Sequence, residues 1–199
     1  MSETLTVDGP VKDGRRRRGE ESRRRIAAAM LELIREGEIS PRAEDVAARA
    51  DVGLRTVFRH FDDMDSLYRE ISNHMAAELM PILKEPLSVD NWGVTLNQLI
   101  DRRTRGFERM MPFRIASDVH RHHSEFLKSE HAALLKLLRS NLRAAAPASL
   151  RDDKIMFEAL DMILSFDAWR RLRLDQGLSV TQTRKAVMEA ARALTIKYL

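Results

Sequence analysis

The apolar residues of this 199-residue chain recur at helical spacing almost throughout, and no stretch of convincing length alternates as a strand does. Ile26, Met30, Leu33 and Ile34 fall at i, i+4, i+7 and i+8, the stripe of an amphipathic helix. Gly37 stands where a left-handed C-cap is wanted. Ser40-Pro41 then restarts a helix, with serine at the cap and proline at the first helical position. The pattern predicts helices over 20–36, 41–50 and 54–60, and a fourth from an Asp N-cap at 62 or 63 to between 79 and 83. Asp51-Val52-Gly53 reads as a tight turn, with Gly53 supplying a positive φ. Pro81 and Pro86 mark a boundary. Further helices are expected over 90–111, 113–122, 124–145, 149–175 and 179–198, punctuated by Pro112, Pro147 and Gly177, and Ser179 with Gln182 has capping-box spacing. The expected fold class is all-α, divided into a flexible basic arm (1–18), a three-helix unit (19–80) and a helical bundle (81–199).

The net charge is only +4, but it is unevenly placed. Eight basic residues lie between Lys12 and Arg25 against Asp13, Glu20 and Glu21, so the rest of the chain is slightly acidic. A polyanion would be met near the N-terminus rather than across the whole surface. The chain has no cysteine, which excludes disulfides and thiolate chemistry. It has no apolar run approaching the roughly 20 residues of a membrane helix, and its first residues hold no signal-peptide core. A cytoplasmic protein with no membrane partner is expected. No nucleophile, base and orienting group stand at sensible spacing, so no enzyme is expected.

The second helix, the three-residue turn and the short third helix span about 20 residues, the size of a helix-turn-helix. Val57 and Phe61, four apart, face the other helices, which leaves Arg55, Thr56, Arg59 and His60 on the remaining sides. Guanidinium groups suit guanine edges and phosphates, a hydroxyl or methyl suits thymine, and imidazole suits phosphate. With a basic arm just upstream, double-stranded DNA is the expected partner.

At these residues the chain resembles the TetR family of bacterial transcriptional repressors. The resemblance rests on RRRIAAAMLELIREGEISPRAEDVAARADVGLRTVFRHF and covers roughly residues 20–75, with Phe166–Arg171 and Asp175–Ser179 looking like the family's last two helices. It implies a ligand-responsive repressor that binds a palindromic operator as a homodimer. By resemblance Arg42 meets backbone or base, Arg55 and Thr56 lead base reading, Phe58 stands where the family usually has tyrosine, and Arg59 and His60 hold phosphate. Two positions depart from the pattern. Leu54 replaces the usual serine or threonine at the start of the third helix, and Asp63-Met64 replaces a serine–lysine pair, losing a phosphate contact. Arg16, Arg17 and Arg18 of the arm are expected to compensate, along phosphates or in a minor groove.

The 149–175 segment is apolar nearly all round and the last helix is alanine-rich, which suggests a surface for a second copy. Ile155, Leu160, Ile163, Val187, Ala190 and Leu194 are the candidate dimer residues, as the resemblance also implies. A pocket for a small-molecule effector of unknown identity is expected among Trp92, Phe107, Met110, Met111, Phe113, Phe126, Phe166 and Trp169. No cofactor is expected. His120, His122, His123 and His131 invite a metal, but no acid or cysteine completes a site, and none is assigned. The alternatives are a helical adaptor that does not bind DNA and a metal-binding protein using those histidines.

Overall fold

The computed structural model describes residues 11–88 and 91–198, with side chains from Arg17 onward. The fold is all-α: no strand occurs among the described residues. The elements are α1 (Val11–Arg35), α2 (Ala43–Arg49), α3 (Leu54–His60), α4 (Met64–Leu83), α5 (Trp92–Arg121), α6 (Glu125–Ala145), α7 (Ala148–Asp152), α8 (Lys154–Ile163), α9 (Phe166–Arg170) and α10 (Val180–Thr195). A π-helical turn, Arg171–Asp175, continues α9, and a 3₁₀ turn, Ile196–Tyr198, follows α10. No described helix is long and apolar enough to cross a membrane.

Local chemistry accounts for most boundaries. Gly37, at φ 103°, closes α1 in a Schellman motif: Glu38 N–H donates to Leu33 C=O and Gly37 N–H to Ile34 C=O. The Asp63 carboxylate accepts from Ser66 N–H at 2.8 Å to start α4. Ser124 caps α6, and Ser179 with Gln182 forms the expected capping box on α10.

Four expectations are corrected. Among the described residues helix α1 runs from Val11, so the arginine run 15–18 has helical backbone where the last part of a flexible arm (1–18) was expected, while residues 1–10 of that arm lie outside the described residues. The left-handed turn residue is Asp51 (φ 51°), while Gly53 (φ −70°) is extended and caps α3. Aspartate is one of the few residues that takes αL without great cost, so it serves where glycine was expected. Pro112 does not end a helix. It lies inside α5, whose buried Phe107, Met110, Met111, Phe113 and Ala116 hold the helix in the core on both sides of the lost N–H. The 149–175 segment is three α-helices rather than one. Asp153 and Ser165 accept from Met156 N–H and Ala168 N–H at 3.1 Å each, and so begin new helices inside an apolar run.

One contiguous core runs from Ile26 to Ala191. Helix α1 packs on α2, α3, α4 and α5; α5 also packs on α6, α9 and α10; and α8 pairs with α10. Pro81 sits in the last turn of α4, so the 80/81 junction falls within a helix. Arg103 on α5 is fully enclosed and donates to the Leu138 carbonyl at 2.7 Å and to the Leu164 carbonyl, stitching α5 to α6 and to the end of α8.

Candidate nucleic-acid interface and neighbouring cavity

The short α3 is held from behind by α1. Val57 and Phe61 are buried under it. The Arg23 guanidinium lies 4.5 Å from the Phe61 ring centroid, donates to the His60 carbonyl at 2.9 Å, and pairs with Glu70 at 2.9 Å. It thus fills the last turn of α3 with a cation, where the helix dipole favours one. Arg25 donates to the Ala50 and Asp51 carbonyls. In the turn between, Val52 N–H donates to Ala47 C=O at 3.0 Å and Asp51 N–H to Ala48 C=O at 3.2 Å, a second Schellman motif. Two arginines counted above as polyanion contacts are therefore engaged in setting the angle between α2 and α3.

The outer face of α3 presents Leu54 (37% exposed), Arg55, Phe58 (48%) and Arg59, at the i, i+1, i+4, i+5 spacing of one helical stripe. Arg55 and Arg59 have no hydrogen-bond or ion-pair partner among the described residues. Thr56 is half-buried at the edge of this face. Arg42, exposed before α2, pairs with Asp45 at 3.2 Å. Arg17 and Arg18 are exposed near the start of α1, while the Arg16 side chain lies outside the described residues. His60 turns inward. Its Nε2 is buried without a hydrogen-bond partner, and burial, then Arg59 and Arg23, push its pKa below the usual histidine value. The His60 ring lies beside α1 at Gly19. Two uncommitted guanidinium groups interleaved with two exposed apolar side chains make a surface able to bond base edges or phosphates and to touch thymine methyls.

A cavity of about 410 Å³ opens between α4, α5 and α6. Of the eight expected pocket residues, Met110 and Phe113 line it. Phe107 and Trp169 line a second, much smaller void of about 10 Å³, and Phe166 packs edge-on to Phe107 at 5.6 Å. Trp92 and Met111 are buried in the core, and Phe126 is half-buried under the Arg69 guanidinium at 4.1 Å. Sequence reasoning missed most of the wall, including Leu79, Leu134, Leu137 and two arginines, because the wall is formed where three distant segments meet.

Those arginines, Arg114 and Arg121, converge on one atom, Nδ1 of His131 (2.8 Å from Arg121), so that nitrogen accepts and the ring proton is on Nε2. Burial, reinforced by both cations, lowers the His131 pKa and keeps the ring neutral. Asp118 lies 3.1 Å from Arg121, 3.5 Å from Arg114 and 3.7 Å from Arg170. The other histidines go elsewhere. His120 Nε2 is 3.2 Å from Ser40 Oγ before α2 and stacks obliquely on Tyr68, while His122 and His123 are exposed. No group of His, Cys, Asp and Glu among the described residues could hold a metal ion.

The candidate dimer residues divide. Leu160 and Val187 are buried in the protomer core, because α8 and α10 pack on each other through that side. Ile163, Ala190 and Leu194 are half-buried. Ile155 is 83% exposed, and Met162, seven residues on, is 66% exposed.

No protein-family model matches the chain, and neither does any curated protein. Among solved structures, the provisionally assigned transcriptional regulator SCO7518 from Streptomyces coelicolor A3(2) has a similar fold, with a TM-score of 0.60 at 18% identity over 86% of this chain and 98% of that one. At that identity the likeness is one of fold.

Proposed function

We propose that this protein is a sequence-specific DNA-binding transcriptional regulator of the TetR type: a homodimeric, ligand-responsive repressor acting on a palindromic operator. The observation that carries the reading is the outer stripe of α3, where Arg55 and Arg59 stand uncommitted between Leu54 and Phe58 on a helix anchored from behind. The helix-turn-helix resemblance of the sequence and the fold of a provisionally assigned regulator support it. In this reading α3 enters the major groove, Arg55 and Thr56 read bases, Arg42 and Arg59 meet phosphate, and the arginine-rich start of α1 tracks the backbone or an adjacent minor groove. Residues 19–80 form the DNA-binding unit and residues 81–199 the sensing and pairing unit. The exposed apolar face of α8 pairs two copies, as a two-fold operator requires. An effector in the cavity selects a conformation whose two α3 helices are mis-spaced for the operator.

The test is a genomic DNA pull-down with the purified protein, followed by sequencing and a salt titration on the enriched fragment. Enrichment of one palindromic site is expected, with affinity falling steeply with salt as counterions are released. Arg55→Ala should cost roughly 1–3 kcal/mol on that site. Recovery of bulk DNA without a preferred site would overturn the reading.

A further inference from the structure

The cavity between α4, α5 and α6 is polarised along its length. The three helices line it with Ser72, Ser117, Arg121 and Glu130 toward the α3 side, and with Leu83, Met110 and Leu137 toward the other. From Ser72 to Leu83 along α4 is roughly 16 Å at helical rise, long and narrow for about 410 Å³. The polar end is underused by the protein itself. Arg114 is 8% exposed, yet its Nε has no hydrogen-bond partner. Ser72 is 4% exposed and its Oγ is likewise without one. Asp118 Oδ1 is within ion-pair distance of both guanidiniums but aligned for a hydrogen bond with neither. Buried polar groups are nearly always satisfied, so two orphaned donors in the lining of one cavity, Arg114 Nε and Ser72 Oγ, mark groups held ready for something else. Both cations share two protein groups: the neutral imidazole of His131, which accepts a hydrogen bond from each, and the Asp118 carboxylate, a single negative charge within ion-pair distance of both. Asp118 and Asp167 balance part of that charge from outside the cavity lining, and Glu130 is an exposed residue of the wall.

We infer that the cavity takes an amphiphilic monocarboxylate, with its carboxylate on Arg114 and Arg121 and its apolar chain running toward Leu83 and Leu137. Two guanidinium forks match a planar carboxylate in geometry and charge, and such bonds are about twice as strong as neutral ones. The Ser72 hydroxyl is placed to add a donor. A neutral amphiphile fills the same apolar end but leaves the two cations with one carboxylate and the imidazole, and a cationic amphiphile meets like charge. The inference rests on the effector reading of this cavity for its regulatory meaning, though not for its binding chemistry.

Titration calorimetry on the full-length protein with decanoate, decanol, decyltrimethylammonium and acetate tests it. Decanoate should bind saturably, one per protomer, at least about tenfold tighter than decanol, with no binding of the cation or of acetate. Arg121→Gln should bring the decanoate-to-decanol ratio close to one while leaving decanol affinity unchanged. Equal affinity for decanoate and decanol in the unmodified protein, preference for the cation, or no binding of any of the four overturns the inference, and each is read without a variant. Parallel DNA-binding measurements separate the two claims. Decanoate bound with DNA affinity unaltered upholds the ligand class and sinks the effector reading. A palindromic site bound by a protein that ignores decanoate leaves the DNA reading standing and removes this one.

Discussion

Asp51 and Gly53, two residues apart in the turn, have exchanged the roles that composition alone assigns them. The left-handed conformation is Asp51's, and a Cβ added to Gly53 would meet nothing within 4 Å. Asp51→Val should therefore destabilise the protein by about 1–2 kcal/mol, the cost of a branched residue in αL, whereas Gly53→Ser should be neutral or slightly stabilising because serine is a good N-cap. Urea midpoints for the two variants check this, and a larger loss for Gly53→Ser would reverse the assignment. The sequence made the turn visible but could not say which of its residues bends. That depends on where α2 stops, and α2 stops at Ala50, with Arg25 of α1 holding the carbonyls of Ala50 and Asp51. The burial of His60 Nε2 was equally unreadable, since the ring lies beside α1 at Gly19, one residue before the expected start of that helix.

Elements announced by their own caps were legible: α3 was bounded at both ends, and α4, α6 and α10 began at the aspartate or serine that marked them. Elements decided by their surroundings were not. Pro112 continues a helix because the core on either side grips it, and Asp153 was hidden within an apolar run. Asp153 joins α8 to the chain end by accepting from the Tyr198 hydroxyl at 2.7 Å, from Lys197 Nζ at 3.0 Å and from Met156 N–H at 3.1 Å. Those bonds, Tyr198 first, hold its carboxyl down to about 2. A depressed carboxyl stabilises the fold fully above its ordinary value of 3.8, and that contribution is lost as pH falls from there toward about 2. Urea midpoints of the parent protein and Asp153→Asn should converge over that window and diverge above it; parallel curves would show that the contact adds nothing. The Arg103 stitch spans three helices remote in sequence and left no local trace. Arg103→Ala removes the donor to the Leu164 and Leu138 carbonyls and empties an enclosed site between three helices, and should cost about 2 kcal/mol or more, read from the same denaturation curves.

At the scale of the whole molecule, the apolar residues proposed to meet a second copy separate from those that build the protomer. Leu160 and Val187 belong to the protomer, while Ile155 and Met162 project from α8 into solvent. Ile155→Glu with Met162→Glu should convert the proposed dimer to a monomer in sedimentation velocity while leaving the melting temperature of the protomer nearly unchanged, since exposed substitutions away from packing cost little, and a parent protein that already sediments as a monomer would overturn the pairing. Leu160→Ala should do the opposite, lowering stability by about 2–5 kcal/mol as a core truncation. The contiguous core has a consequence for protein engineering. Helix α4 passes through the junction at Pro81, and the corner between α5 and α6 grips the N-terminal helices through His120 with Ser40 and Ser124 with Asp65. The N-terminal helical unit is therefore not a cassette. A chimera that joins it to a foreign helical bundle at residue 80 severs a helix and strips both latches, so a workable graft must carry all of α4 and bring a new corner shaped to hold Ser40 and Asp65.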